Sequence, residues 1–156
     1  MRHSQKELEN VLARLVDKEQ RVAAGLGKLG TLIEGAKGKV AWKKIHVRDE
    51  RVTDQGRYFE HNDNIVVYGY VEVESPDDRE VKAYVGSDDG VKVFVNGRLV
   101  HANPIDRGLK IDEDSFKVSL NKGRNAVLVK LLQGGGTWGF AFRLDDPKDE
   151  LKYVLP

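Results

Sequence analysis

Cysteine is absent from this 156-residue chain. That excludes a disulfide scaffold, a thiolate metal site and a cysteine nucleophile together, without indicating a compartment. No charge of one sign dominates: 26 lysines and arginines face 25 acidic residues, a formal net charge of +1. This balance removes the electrostatic case for nucleic acid or an anionic membrane as partner. No apolar run approaches the roughly 18 residues of a membrane span, and the first residues are polar rather than those of a signal peptide. Catalytic patterns are missing as well. There is no Gly-x-Ser-x-Gly elbow, and the three consecutive glycines Gly134, Gly135 and Gly136 have no downstream Lys-Ser/Thr of a phosphate loop. His3, His46, His61 and His101 are scattered without the spacing of zinc ligands. Adjacent acids on a turn do not give the separated pair that glycoside hydrolysis needs. The chain therefore reads as noncatalytic.

What is present divides into two patterns. From Ser4 to about Ala36 the apolar residues Leu8, Leu12, Leu15, Val22, Leu26, Leu29 and Ile33 recur at spacings of three and four, with Glu19 in the one missing slot. Ser4 and Glu7 make a capping box at its start. The pattern predicts a long amphipathic helix. Val11, Val16, Ala23 and Leu32 widen its stripe beyond a two-stranded seam. That face suits either a homo-oligomer formed through the helix or a helix lying on its own domain. Gly25, Gly27 and Gly30 each weaken a helix by about 1 kcal/mol relative to alanine, so its second half depends on packing. Gly35 and Gly38 mark its end, which puts helix and linker at residues 1–38 and a second domain at 39–156.

After Gly38 the period changes to two. Strands are expected at 40–48, 65–74, 80–86, 91–96, 98–101, 115–120, 126–133 and 137–144, with a short last one at 151–155. Val81, Ala83 and Val85 alternate with Lys82 and Tyr84, and Phe116, Val118 and Leu120 alternate with Lys117 and Ser119. One face of each is therefore buried. Asn96-Gly97 is a hairpin turn signal. Short strands with turns between them and no helix in the run predict a mostly β fold, an antiparallel β-sandwich with jelly-roll winding as its leading topology. Two connections, 49–64 and 102–114, exceed hairpin length, and connections of that size are functional or tied down by their own contacts.

From Tyr84 to Leu144 the chain carries Gly-Ser-Asp-Asp-Gly-Val-Lys-Val-Phe-Val-Asn-Gly at 86–97, Asn103 to Arg107, the acidic Asp112-Glu113-Asp114, the 121–125 turn before Ala126-Val127-Leu128-Val129-Lys130, and Gly-Gly-Gly-Thr-Trp-Gly-Phe at 134–140. This stretch resembles the galactose-binding-like jelly-roll modules, and the PA14-type domain carries a similar Asp-Asp-Gly strand and Asn/Asp-Gly turn. The resemblance implies a sandwich that serves as a sugar binder, a structural insert or a protein-contact domain. For PA14-like relatives it also implies calcium at the Asp pair.

Asp88, Asp89, Asn96, Arg107 and Trp138 are the candidate ligand residues, because a polyhydroxylated ligand needs convergent acceptors and an aromatic plane for its C–H face. Asp88 and Asp89 can hold calcium, accept sugar hydroxyls, or bond to their own loop's N–H groups. Calcium needs six or more oxygens, and no spaced ligand series supplies them. Arg107 can clamp vicinal hydroxyls or a uronate, or pair with Asp112 or Asp114 and order the loop. Trp138, Phe140, Phe142 and Leu144 share one face, as a core stripe or with Trp138 half exposed as a stacking platform. Tyr58, Phe59 and His61 form a second available platform, while Tyr68 and Tyr70 alternate with Val67 and Val71 on an outer face. The expected function is a carbohydrate-binding module with a glycan or polysaccharide partner, made multivalent by its helix. The alternative is a structural head whose helix drives assembly or docking.

Overall fold

The computed structural model describes residues 32–35, 38–41, 52–54, 65–134 and 138–154. The expected N-terminal helix, its Ser4–Glu7 cap and the platform at Tyr58, Phe59 and His61 lie outside the described residues, apart from the helix's last positions. At those positions the described backbone is extended. Strand β1 (Leu32–Gly35) pairs antiparallel with β2 (Gly38–Ala41), Ile33 opposite Val40 and Gly35 opposite Gly38. The β-branched residues Ile33 and Val40 suit an extended backbone. The chain divides into two compact units, Met1–Lys44 with Pro156, and Ile45–Leu155.

The second unit is a two-sheet antiparallel sandwich. Its strands are β3 (Val52–Asp54), β4 (Ile65–Ser75), β5 (Arg79–Asp88), β6 (Gly90–Val95), β7 (Arg98–Asn103), β8 (Asp114–Leu120), β9 (Gly123–Gln133), β10 (Trp138–Leu144) and β11 (Lys152–Val154). One sheet runs β3-β10-β5-β8 and the other β11-β4-β9-β6-β7. The pairs nest around the β6–β7 hairpin: β5 with β8, β4 with β9 and β3 with β10. At the hairpin tip Asn96 and Gly97 both have positive φ, 50° and 77°, as a two-residue turn matched to strand twist requires.

The alternation read in β5 and β8 is the core register. Val81 faces Val118 and Ala83 faces Phe116 across the ladder. Ala83, Val85, Val118 and Leu120 join Val73, Val91, Val93, Val127 and Val129 in the buried cluster. Burying each such aliphatic side chain contributes roughly 1.5–3 kcal/mol relative to exposure. Phe140 and Phe142 pack against the cluster and Leu144 lies within it. The aromatic stripe of β10 is thus core over these three residues. The Phe140 ring crosses from its own sheet onto Gly69 of β4, where an added Cβ would stand 2.7 Å from the ring tip. The outer face of β4 carries Tyr68 and Tyr70, opposite Lys130 and Leu128 of β9.

Candidate functional site

Asp88 ends β5 in one sheet, and Gly90 opens β6 in the other. Asp89 is the single residue between them, so the acidic turn is the corner where the chain changes sheets. A corner so short needs partners for its backbone. The Asp89 N–H donates to the Leu132 carbonyl at 3.2 Å, and the buried Ser87 hydroxyl donates to the Asp89 carbonyl at 2.6 Å. The Asp89 carboxylate accepts from two other loops: Oδ1 from the Arg107 N–H at 3.2 Å, Oδ2 from the Gly134 N–H at 3.0 Å.

The long connection from β7 to β8 is tied down by its own contacts. The Arg107 side chain is 9% exposed and sets a two-pronged clamp on Asp114, 2.8 Å on each prong. Its Nε and second prong also donate to the Ser87 carbonyl at 3.2 Å and hydroxyl at 2.9 Å. Glu113 lies 3.4 Å from the same guanidinium. The remaining capacity of Asp114 is taken by His101 Nε2 at 2.9 Å and the Asn103 amide at 3.2 Å. His101 in turn stacks flat on Phe116, centroids 4.4 Å apart. Of the two acids open to Arg107, Asp114 is the partner. Asp112 pairs instead with Arg143 at 2.8 Å, whose guanidinium lies 4.0 Å from the Tyr84 ring centre. The loop lies flat on β5 at Gly86, where an added Cβ would come within 1.9 Å of the Lys110 carbonyl oxygen. No other residue type fits there.

Charge follows this geometry. The Arg107 clamp, joined by the bonds from His101 and Asn103, holds the Asp114 carboxyl well below the usual carboxylate range, and Asp114 raises Arg107 in return. Asp88 goes the other way. Partial burial, then the neighbouring Asp89 charge and a hydrogen bond with that residue, push its carboxyl up. Among the described residues no cation is paired with it.

The candidates thus divide. Asp88, Asp89, Arg107 and the Gly134 N–H converge on one rim, and the β10 backbone starts there, with Gly139 opposite Asp88 and Trp138 opposite Asp54 of β3. Asn96 is not with them. It caps the other end of β6, where its amide donates to Asn125 Oδ1 at 2.8 Å and accepts from the Ala126 N–H at 2.9 Å. Six strand residues at about 3.3 Å each separate it from the rim by roughly 20 Å. Calcium fails a test of fit. Both Asp89 oxygens hold N–H groups, and among the described residues no three acidic or histidine side chains converge as a metal group.

Among the described residues five polar side chains that were not candidates are buried: Ser75, Ser87, Asn125, Lys130 and Gln133. Ser87 and Asn125 interrupt inward-facing runs, Val85 to Ser87 and Asn125 to Val127, and a polar residue in a core slot is the signal that marks them. Lys130 lies on the outward side of β9, its Nζ 5.7 Å from the Tyr68 ring centre. The neighbouring Tyr70 hydroxyl donates to Glu72 at 3.1 Å, and burial with that carboxylate pushes it up to about 12.

No protein-family model matches the sequence, and no curated protein matches it. Among solved structures, the chain is similar to the PA14 domain of the antifreeze protein MpAFP, at 17% identity and a TM-score of 0.42 over 58% of this chain and 46% of that one. It is also similar to a family 35 carbohydrate-binding module from an environmental isolate, at 11% identity and 0.42 over 61% and 74%. A third likeness is to part of a GH31 alpha-xylosidase from Xanthomonas citri, at 24% identity and 0.45 over 82% of this chain and 17% of the enzyme. A PA14 domain and a carbohydrate-binding module are thus both among the solved structures to which this chain is similar.

Proposed function

We propose that the sandwich is a noncatalytic carbohydrate-binding module of jelly-roll winding, with its site at the rim where Asp88, Asp89, Gly134 and the start of β10 meet. The observation behind this reading is the state of Asp88. It is a partly buried carboxylate at the meeting point of loops already held in place by other groups, with no described cation beside it. A preorganised acceptor of that kind loses little entropy on receiving sugar hydroxyls. Trp138 is the proposed stacking partner. Arg107 serves as a strut, because its charge is met by Asp114 and Glu113. The ligand class is therefore neutral glycan rather than uronate, and calcium forms no part of the proposal. Residues 1–38 are proposed to present the module in several copies, so that weak sites act together.

The test is retention on immobilised neutral polysaccharides, with Asp88→Asn and Trp138→Ala beside the parent. Both variants should elute early while keeping the parent's melting temperature within a few degrees. A parent that no glycan retains, or two variants retained like the parent, ends the reading. One observation favours the second reading, an architectural head: the Asp89 oxygens and the Arg107 fork are already engaged within the chain. Sedimentation of the full chain at rising concentration bears on it, since a monomer throughout removes self-association.

A further inference from the structure

Asp114 opens β8 in one sheet and Gly134 follows β9 of the other, yet an unbroken series of bonds joins them. Asp114 grips the Arg107 guanidinium at 2.8 Å on both prongs. The same residue's backbone N–H reaches Asp89 Oδ1 at 3.2 Å, and Asp89 Oδ2 takes the Gly134 N–H at 3.0 Å. The two carboxylates are the joints. Asp114 is held from behind by His101 and Asn103, so it cannot swing to follow Arg107. Asp89 is fixed at its backbone by Leu132 and Ser87.

We propose that Asp114 is a positioning residue for the rim, acting through Arg107 and Asp89 to fix Gly134 at the entrance to β10. Its purpose rests on the glycan-binding reading, although the coupling itself does not. An alternative in which each bond is a local staple makes a different prediction, since release of Arg107 would then leave Gly134 in place. Cutting the clamp removes the two shortest bonds on the Arg107 guanidinium and leaves those to Ser87 and Glu113, which loosens the side chain that holds the Arg107 N–H at Asp89. The carboxylate then loses one of its two N–H donors and becomes free to rotate about its side-chain bonds, which weakens the remaining bond to Gly134.

The experiment is amide hydrogen exchange on the isotopically labelled full chain, parent against Asp114→Asn. The Arg107 and Gly134 amides should both lose about tenfold or more of their protection, while those of Val127, Val129 and Leu131 in the middle of β9 keep theirs. Loss at Arg107 with Gly134 unchanged overturns the inference, as does an equal loss across β9, which means general loosening. Should Asp114→Asn fold poorly, Arg107→Lys keeps the charge, gives up the fork and carries the same expectation. Glycan retention separates this inference from the reading it serves. A parent that is not retained removes the reading and leaves the coupling to be decided by exchange. A retained parent whose Asp114→Asn variant keeps both retention and Gly134 protection removes the coupling and leaves the reading.

Discussion

The two ends of β6 are closed by different chemistry. At the hairpin end the closure is neutral: Asn125, fully buried, accepts from the Asn96 amide and the Asn121 N–H and donates to the carbonyls of Asn121, Gly123 and Val73. At the rim the closure is ionic, built on Asp89, Arg107 and Asp114. An amide presents donor and acceptor together, so one side chain can satisfy a tight turn's backbone without a counter-charge. A carboxylate only accepts, and needs donors brought from elsewhere. The ionic end therefore depends on donors from other loops, while the amide end takes half of its partner residues, Asn121 and Gly123, from the turn that holds Asn125. Only the ionic end should respond to pH.

Arg107→Ala tests that contrast with the largest expected effect. It strands a mostly buried carboxylate and should cost about 3 kcal/mol in urea denaturation at neutral pH, less than a fully buried pair because the clamp keeps some solvent contact. The folded pKa of Asp114 lies below its unfolded value, so its stabilisation is complete above the ordinary carboxylate pKa of about 3.9 and is lost as pH falls beneath it. The difference between parent and Arg107→Ala should narrow over that range. Asn125→Ala should cost about 2 kcal/mol through unpaired buried groups, by the same amount at pH 7 and pH 4. A pH-dependent loss there breaks the contrast.

Gly86→Ala comes next. Its Cβ has no room beneath the Lys110 carbonyl, so the 104–113 loop must lift, at about 1–2 kcal/mol. Exchange at Arg107 should rise while the Asn96 turn stays protected. Asp88→Asn is the smallest and opposite in sign. With its folded pKa raised, Asp88 costs stability as pH rises through the range above its unfolded value. The variant should melt slightly higher than the parent at pH 7, with no difference below about pH 4, and a melting point lower at pH 7 contradicts the burial argument.

Much of the fold could be read directly. Period-two runs at 80–86 and 115–120 became paired strands with their apolar residues inward, because a sandwich buries one face of each sheet. The length of the 102–114 connection marked it as tied or functional, and it is tied through Arg107. The site was less legible. Asn96 stands seven positions after Asp89, near in sequence, yet a strand carries it to the other end of the sandwich. Asp88-Asp89-Gly90 suits a sugar, a cation or its own backbone equally well as a string of residues. The donors that decide the matter for Asp89 come from Arg107 and Gly134.

Local pattern alone determined that this chain makes antiparallel strands, where it turns at Asn96-Gly97, and which side chains of β5 and β8 lie inward. These follow from backbone geometry and side-chain alternation within a few residues. Tertiary structure decided that Asp89 is a corner between sheets, that Arg107 is a strut on Asp114, and that Asp89 keeps company with Gly134 rather than Asn96. Hydrogen bonds between loops depend on where strands of fixed length deliver their ends, and that is a property of the assembled sheets.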